Sequence, residues 1–199
     1  KYLANTYLPL RLSFVNEATR LSEYSGANLT DVLKGVGLDS RIGSHYFRPS
    51  PSWGGSCFPK DLVEVNNFYN QDELNLPLIS NIIGSNEEHL HWTVNQLLSL
   101  KKNNGLKRIV LVGAAFKEDT DDLRNSPTLE MYNILNEMGE EVIILDTDIE
   151  VTGYQSIKQL DEVAAYSLLS IMYPLKEELN NNISNYAINN ECIIYYPWG

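Results

Sequence analysis

Residues 108–112 read Arg-Ile-Val-Leu-Val, and residues 141–145 read Glu-Val-Ile-Ile-Leu. Each is a short aliphatic and β-branched run without polar alternation, as expected of a strand covered on both faces of a parallel sheet. Between them, Ser126-Pro127 marks a helix start and Gly139 its end. Strand, crossover helix and strand make a βαβ unit. Beyond it the pattern predicts a strand near 167–172, a helix over 175–183 and a last strand over 191–196. The C-terminal half is therefore expected to be α/β.

Before Gly105 the period changes. Leu3, Tyr7, Leu10, Phe14, Ala18 and Leu21 recur at steps of three and four, which predicts an amphipathic helix over 1–24 with Pro9 disturbing its early turns. Gly26 ends that helix, and Asn28 with Asp31 caps a short one over 29–36. Residues 37–56 hold Gly37, Gly43, Pro49, Pro51, Gly54 and Gly55 and read as a loop with forced turns. Helices follow over 59–70, opened by Pro59, and over 77–101, stopped at Asn103-Asn104-Gly105. The expected fold class is α plus α/β, with a helical domain over 1–103 and a parallel-sheet domain over 104–199.

With 15 basic and 26 acidic side chains, the 199-residue chain has a net charge of −11. That balance argues against a nucleic-acid partner, which needs a basic face. Apolar residues at 43% and charged ones at 21% fit a soluble globular protein. No run approaches the roughly 20 apolar residues of a membrane span. Two cysteines cannot make a secreted disulfide scaffold, so a cytoplasmic setting is expected. The opening KYLANTYLPL lies inside a helical pattern, so the chain is read as part of a longer polypeptide.

The densest chemical signal is Gly54-Gly55-Ser56-Cys57-Phe58-Pro59-Lys60-Asp61. Paired glycines let a ligand approach the backbone closely. Cys57 precedes a helix start, where free N–H groups favour a thiolate, and Lys60 adds positive charge. Asp61 lies one turn beyond Cys57, the spacing of a nucleophile with a neighbouring acid/base group. Lys1 and Asn5 share a helix face at i, i+4 and could stabilise an oxyanion or move a proton. Phe116 to Arg124, directly after the first strand, sits where open α/β sheets bind ligands, and Lys117 and Arg124 could grip phosphates there. Only Gly113 stands in that turn, so the Gly-x-Gly-x-x-Gly dinucleotide fingerprint is absent. His89 and His91 share a helix without a third ligand, so no metal site is expected.

Four motifs occur in order: Lys-x-x-x-Asn from Lys1, Asp39-Ser40-Arg41-Ile42-Gly43, Gly-Gly-Ser-Cys-Phe-Pro-Lys-Asp, and Ala-Phe-Lys-x-x-Thr-Asp-Asp-x-Arg-x-Ser-Pro. Over residues 1–148 the chain thereby resembles the nucleotide-sugar dehydrogenases of the UDP-glucose/GDP-mannose dehydrogenase family. The resemblance implies a helical dimerisation domain followed by a Rossmann-like nucleotide-sugar-binding domain, with an NAD-binding domain before Lys1. It implies homodimerisation through the helical domain, a UDP-sugar substrate, no membrane partner, and NAD held mainly by the preceding domain. The implied reaction oxidises a sugar alcohol to a carboxylate in two NAD-dependent steps, UDP-glucose to UDP-glucuronate, through a thiohemiacetal and a thioester on Cys57.

By the same resemblance, Asp61 assists the hydrolytic water, and Lys1 and Asn5 support proton transfer and the oxyanion. Tyr46, Phe47, Ser50 and Gly54 cradle the substrate, Lys117 binds it, and Arg41 reaches a neighbouring subunit's site. Lys60 and Arg124 match contacts to NAD. The isolated chain is then expected to be inactive. Alternatives are a dimerising nucleotide-sugar-binding module without turnover, or the same chemistry on GDP-mannose or a UDP-N-acetylhexosamine. No arginine follows Arg124, where the family carries arginine on its late strands, and Asp146-Thr147-Asp148 replaces the family's Asp-Pro element. Cys192, in an apolar strand, reads as core.

Overall fold

Helical spacing of apolar side chains gives the first helix, α1, Tyr2–Ser25, which runs through Pro9. Gly26 closes it at φ 71°, its N–H meeting the carbonyls of Glu23 and Ser22. That left-handed conformation is cheap only without a Cβ. The computed structural model describes residues 1–71 and 74–198. It divides into two units, Lys1–Leu90 with Trp198 and His91–Pro197.

In the first unit, α2 (Leu29–Gly37) starts at Asn28, whose side chain accepts the Asp31 N–H. A long loop then leads to α3 (Phe58–Gln71), α4 (Pro77–Ser80) and the start of α5 (Ile82–Asn103). The single helix expected over 77–101 is thus broken. Asn81 sits at the break and donates its carboxamide to the Pro77 carbonyl at 2.6 Å, closing α4. Trp53, Leu62 and Ile82 form the unit's core, with Leu10, Leu12, Phe58, Ile79 and Ile83 packed on it.

The buried face of α1 is not the apolar stripe read from the sequence. Thr6, Pro9, Ser13, Val15, Asn16, Thr19 and Ser22 are buried. Leu3, Tyr7, Phe14 and Leu21 are 78%, 56%, 59% and 67% exposed. Of the polar residues on that face, Asn16 accepts the Ser50 N–H and Ser13 the Trp53 indole N–H, while Thr6 and Thr19 donate to the Tyr2 and Val15 carbonyls of their own helix.

The second unit is α/β, as expected. Its strands are β1 (Arg108–Val112), β2 (Val142–Leu145), β3 (Ser156–Ile157), β4 (Ser167–Ile171) and β5 (Ile193–Tyr195). They form one sheet in the order β3-β2-β1-β4-β5. All pairs are parallel, and Val110 of β1 sits between Ile143 and Leu169. The central strands are almost wholly buried, which explains their unbroken apolar runs. The crossover helix α6 (Pro127–Glu137) buries Met131 and Leu135. Ser126 does not cap α6 with its side chain; its hydroxyl donates instead to the Ala114 carbonyl at 2.6 Å. The last helix, α7 (Glu177–Asn189), is longer than expected and starts later. The two-residue edge strand β3 carries no sequence signal of its own.

Candidate functional site

The geometry around Asp61 brings together Asn5, Lys1 and Lys60, with Cys57 one turn away. Asp61 lies in the first turn of α3 and is only 1% exposed. Its backbone N–H donates to the Cys57 carbonyl at 2.9 Å, which seats Cys57 at the entrance of the helix. Asn5 on α1 donates its carboxamide N–H to Asp61 Oδ2 at 2.6 Å. Lys1 Nζ stands 3.6 Å from the same oxygen, and Lys60 Nζ stands 3.9 Å from Oδ1. The Asn5 hydrogen bond holds the Asp61 carboxyl below the usual carboxylate range, burial opposes this, and the ammonium groups of Lys1 and Lys60 add to the lowering. Asp61 is therefore an anion with one oxygen engaged. Oδ1 accepts no hydrogen bond from the described residues. The Cys57 thiol is exposed, 3.7 Å from the Ser56 hydroxyl.

The loop before Cys57 is held by side chains that its sequence did not announce. Ser50 N–H donates to Asn16 Oδ1 at 3.0 Å, and the buried His89 faces the Ser50 carbonyl through Nε2 at 2.9 Å. A carbonyl only accepts, so Nε2 carries the proton. Burial pushes the His89 imidazole down to about 4, so it is neutral at pH 7. Asn86 contacts both backbone groups of Trp53, and the Trp53 indole N–H donates to Ser13 Oγ at 2.9 Å. Gly54 and Gly55 follow, both buried.

Arg41, Tyr46 and Phe47 lie on the outer stretch of the same loop. Arg41 is exposed, with its Nε and Nη2 on the Asp39 carboxylate at 3.0 and 2.6 Å. This pairing uses one edge of the guanidinium and fixes its direction. Tyr46 is exposed at φ 53°, a strained setting for a bulky residue that costs about 1–3 kcal/mol. Phe47 stacks on Phe14 at 6.4 Å and lies under the Arg11 guanidinium at 5.0 Å, while Arg11 Nη2 donates to the Gly43 carbonyl. Arg11 thus staples the loop to α1, a role invisible in the local sequence.

The second unit has a crevice of about 480 Å³ at the carboxyl ends of β1, β2 and β4, where open parallel sheets bind ligands. Its charge is the opposite of what a phosphate grip requires. Glu118, Asp119, Asp121, Asp146 and Asp148 line it against a single cation, Lys176. The two expected phosphate contacts do not line it. Lys117 extends over the Phe116 ring at 5.5 Å. Arg124 forks onto Asp122 at 2.8 Å through both Nε and Nη2, and that pairing pulls the Asp122 carboxyl down to about 2.

Backbone amides after β1 and β2 are also engaged. Asp146 Oδ2 accepts the Ala114 N–H at 2.8 Å, while Oδ1 accepts those of Asp148 and Ile149. The Tyr173 hydroxyl reaches both Ala115 and Asp146, and burial, then the Asp146 charge, push it up to about 12. The Tyr173 ring occupies the space above Gly113, where a Cβ would come within 2.6 Å of Cζ. These residues do not fit a dinucleotide: the turn lacks its glycines, its amides have partners, and its rim is acidic.

Two models of one family match the chain: the UDP-glucose/GDP-mannose dehydrogenase central domain over residues 1–88, and that family's UDP binding domain over residues 110–184. The chain belongs to this family. The UDP-glucose 6-dehydrogenase of Rickettsia felis is 30% identical, covering 100% of this chain and 51% of the relative. That of Rickettsia prowazekii is 37% identical over 79% of this chain and 34% of the relative. Among solved structures, a UDP-glucose dehydrogenase from Pyrobaculum islandicum matches with TM-score 0.75 and 30% identity, covering 87% of this chain and 42% of that one. A UDP-D-ManNAc dehydrogenase from Pyrococcus horikoshii shares the fold at TM-score 0.80 and 22% identity, over 98% of this chain and 45% of that one. The chain spans about half the length of the relatives that match it throughout.

Within this dehydrogenase family, the first match contains Cys57, Asp61, Asn5, Lys1 and the whole 49–55 loop with its holders Asn16 and Asn86. The second contains Lys117, Arg124 and the acidic crevice but ends before β5. Sequence reasoning singled out Cys57, Lys60, Asp61, Lys1 and Asn5 because they stand in two short motifs, which the fold brings together at Asp61. It missed Asn86, Asn16 and Arg11 because each acts on a loop more than 30 residues away.

Proposed function

We propose that this chain supplies the covalent site of a UDP-glucose 6-dehydrogenase-type enzyme, which converts UDP-glucose to UDP-glucuronate in two NAD-dependent oxidations. The carrying observation is the buried Asp61 carboxylate one turn from an exposed cysteine, with one oxygen held by Asn5 and two ammonium groups beside it. NAD, when bound, would accept one hydride in each oxidation, so that two NAD molecules are consumed per sugar. The crevice after β1 does not suit NAD, so this reading gives the chain only Lys60 and Arg124 toward NAD and places the main NAD site on a domain outside these residues.

In this reading the Cys57 thiolate adds to the C6 aldehyde carbon, forming the C–S bond of a thiohemiacetal. Lys1 and Asn5 stabilise the developing alkoxide by charge and hydrogen bonding. After the second oxidation the carbon is a thioester. Water then adds to its carbonyl, the C–S bond breaks, the carboxylic acid leaves and the Cys57 thiolate is restored. Asp61 holds that water through Oδ1, the oxygen that accepts no hydrogen bond from the described residues, and draws off its proton.

Tyr46, Phe47, Ser50 and Gly54 form the sugar-facing loop, Lys117 contacts the substrate, and Arg41, held outward by Asp39, serves a neighbouring subunit. That subunit docks on the exposed apolar stripe of α1, making a homodimer through the helical domain over 1–103. The domain over 104–199 takes the nucleotide-sugar. The enzyme is cytoplasmic in this reading; no described helix is long and apolar enough to cross a membrane.

The test is Cys57→Ala in the dehydrogenase that carries this chain with an NAD-binding domain. Acid formation is expected to vanish, and a fully active variant removes Cys57 from the mechanism. A second reading, a dimerising nucleotide-sugar-binding module without turnover, predicts binding of the sugar nucleotide with no NAD reduction by any assembly. GDP-mannose and UDP-N-acetylhexosamines are the competing substrates for the same chemistry.

A further inference from the structure

The loop that carries Cys57 is held by a helix that contributes none of the proposed reacting groups. Residues 49–55 are irregular, yet all but Ser50 are buried. Buried irregular backbone has to find partners for its N–H and C=O groups away from water. Here one side chain does so twice for one residue. Asn86 Oδ1 accepts the Trp53 N–H at 2.9 Å, and Asn86 Nδ2 donates to the Trp53 carbonyl at 2.9 Å. A carboxamide gripping both polar groups of one residue acts as a neighbouring β-strand would. One turn along α5, His89 meets the Ser50 carbonyl on the same helix face. Asn86 is 9% exposed, so neither hydrogen bond is readily exchanged for water.

The grip falls where the chain is about to lose its stiffness. Gly54 and Gly55 come next, and Gly55 stands at φ 87°. Two glycines in succession impose almost no direction of their own on the chain. The path to Cys57 is then set by its two ends, Trp53 on one side and the first turn of α3 on the other.

We propose that Asn86 is a positioning residue of the Cys57 site. It fixes the backbone of Trp53 and, through the Gly54-Gly55 link, the place of Cys57 relative to Asp61 and Asn5. The proposal rests on the reading of Cys57 as the nucleophile, and the test separates the two.

Asn86→Asp, Asn86→Ala and Cys57→Ala are compared in the dehydrogenase that carries this chain with an NAD-binding domain. Asn86→Asp keeps an oxygen for the Trp53 N–H and loses the donor to its carbonyl; Asn86→Ala loses both. A misplacement of about 1 Å costs about 100-fold, so kcat is expected to fall roughly 10-fold in Asn86→Asp and roughly 100-fold in Asn86→Ala, with KM within about threefold. Amide hydrogen exchange over residues 53–57 should quicken in both, while α1 and α3 keep their protection. Wild-type kcat in both Asn86 variants, a change in KM alone, or unchanged exchange over 53–57 overturns the proposal. Global unfolding of both variants overturns it too, since Asn86 would then be a residue of the fold alone. An active Cys57→Ala overturns the nucleophile reading instead, whatever the Asn86 variants do.

Discussion

Asn5 on α1 donates a 2.6 Å hydrogen bond to the buried Asp61 on α3, across 56 residues of sequence. Neither residue is remarkable by itself, an amide on a helix and an acid in a helix's first turn. Together they hold below its ordinary range a carboxyl that burial pushes the other way, beside an exposed cysteine.

Replacing Asn5 by Leu removes the largest influence lowering the Asp61 carboxyl, so that group should titrate at higher pH. The sign follows from linkage. A carboxyl depressed in the fold stabilises it above the unfolded value near 3.8, and this is lost as pH falls through the folded value. In Asn5→Leu the acid-induced loss of stability should therefore begin at higher pH than in the native chain, as read by urea midpoints between pH 2 and 6. Coincident acid limbs in the two proteins would count against the pairing.

His89 gives a second pH signature with its own window. Its imidazole is about 4 in the fold against an ordinary 6.5, so the unfolded chain binds the extra proton first. Stability from this group is complete above about pH 6.5 and declines as pH falls toward 4, by about 3 kcal/mol in all at 1.36 kcal/mol per unit. Urea denaturation of the native chain and of His89→Gln should diverge in slope over that window. A variant with the native slope would show that His89 titrates normally.

Gly113→Ala should destabilise the second unit by about 2 kcal/mol or more, because a Cβ there meets the Tyr173 ring and the backbone stands at φ 99°. Tyr173→Ala in the same chain should recover the steric part and leave the backbone part. Thermal unfolding of the two single variants and the double variant measures this coupling; strict additivity would mean that the ring does not press on Gly113.

Much of the architecture was legible in the sequence, for reasons that also explain the exceptions. The runs at 108–112 and 141–145 announced buried parallel strands, found over Arg108–Val112 and Val142–Leu145, because both their faces are covered. The edge strand Ser156–Ile157 was not legible, since its two residues pair on one side only and are not packed as a core. Periodicity located α1 but implied the wrong buried face, because Ser13 and Asn16 turn inward to serve Trp53 and Ser50. Cys57, Lys60 and Asp61 share one motif and could be read locally, as could the Lys1–Asn5 spacing; the approach of Asn5 to Asp61 could not. The electrostatics of the crevice could not, because its acids come from two loops that only the sheet brings together.

The exposed stripe of α1 carries the dimer expectation. Leu3→Glu and Leu21→Glu alter side chains that are mostly exposed within one chain, so each should leave the unfolding temperature of a single chain nearly unchanged while dissociating the dimer. Sedimentation equilibrium at micromolar concentration gives the answer: dimer for the native chain and monomer for the variants. A native monomer would remove this face as the interface.

The central claim is that Cys57 carries the sugar as a covalent intermediate which Asp61 helps to hydrolyse. Asp61→Asn, in the dehydrogenase that carries this chain with an NAD-binding domain, should slow hydrolysis more than acylation. Peptide mass spectrometry after incubation with UDP-glucose and NAD should then find the Cys57 peptide bearing the acyl group of the oxidised nucleotide-sugar, released by hydroxylamine. Continued production of UDP-glucuronate by a variant whose Cys57 stays unmodified throughout and can be replaced by Ala would contradict the account.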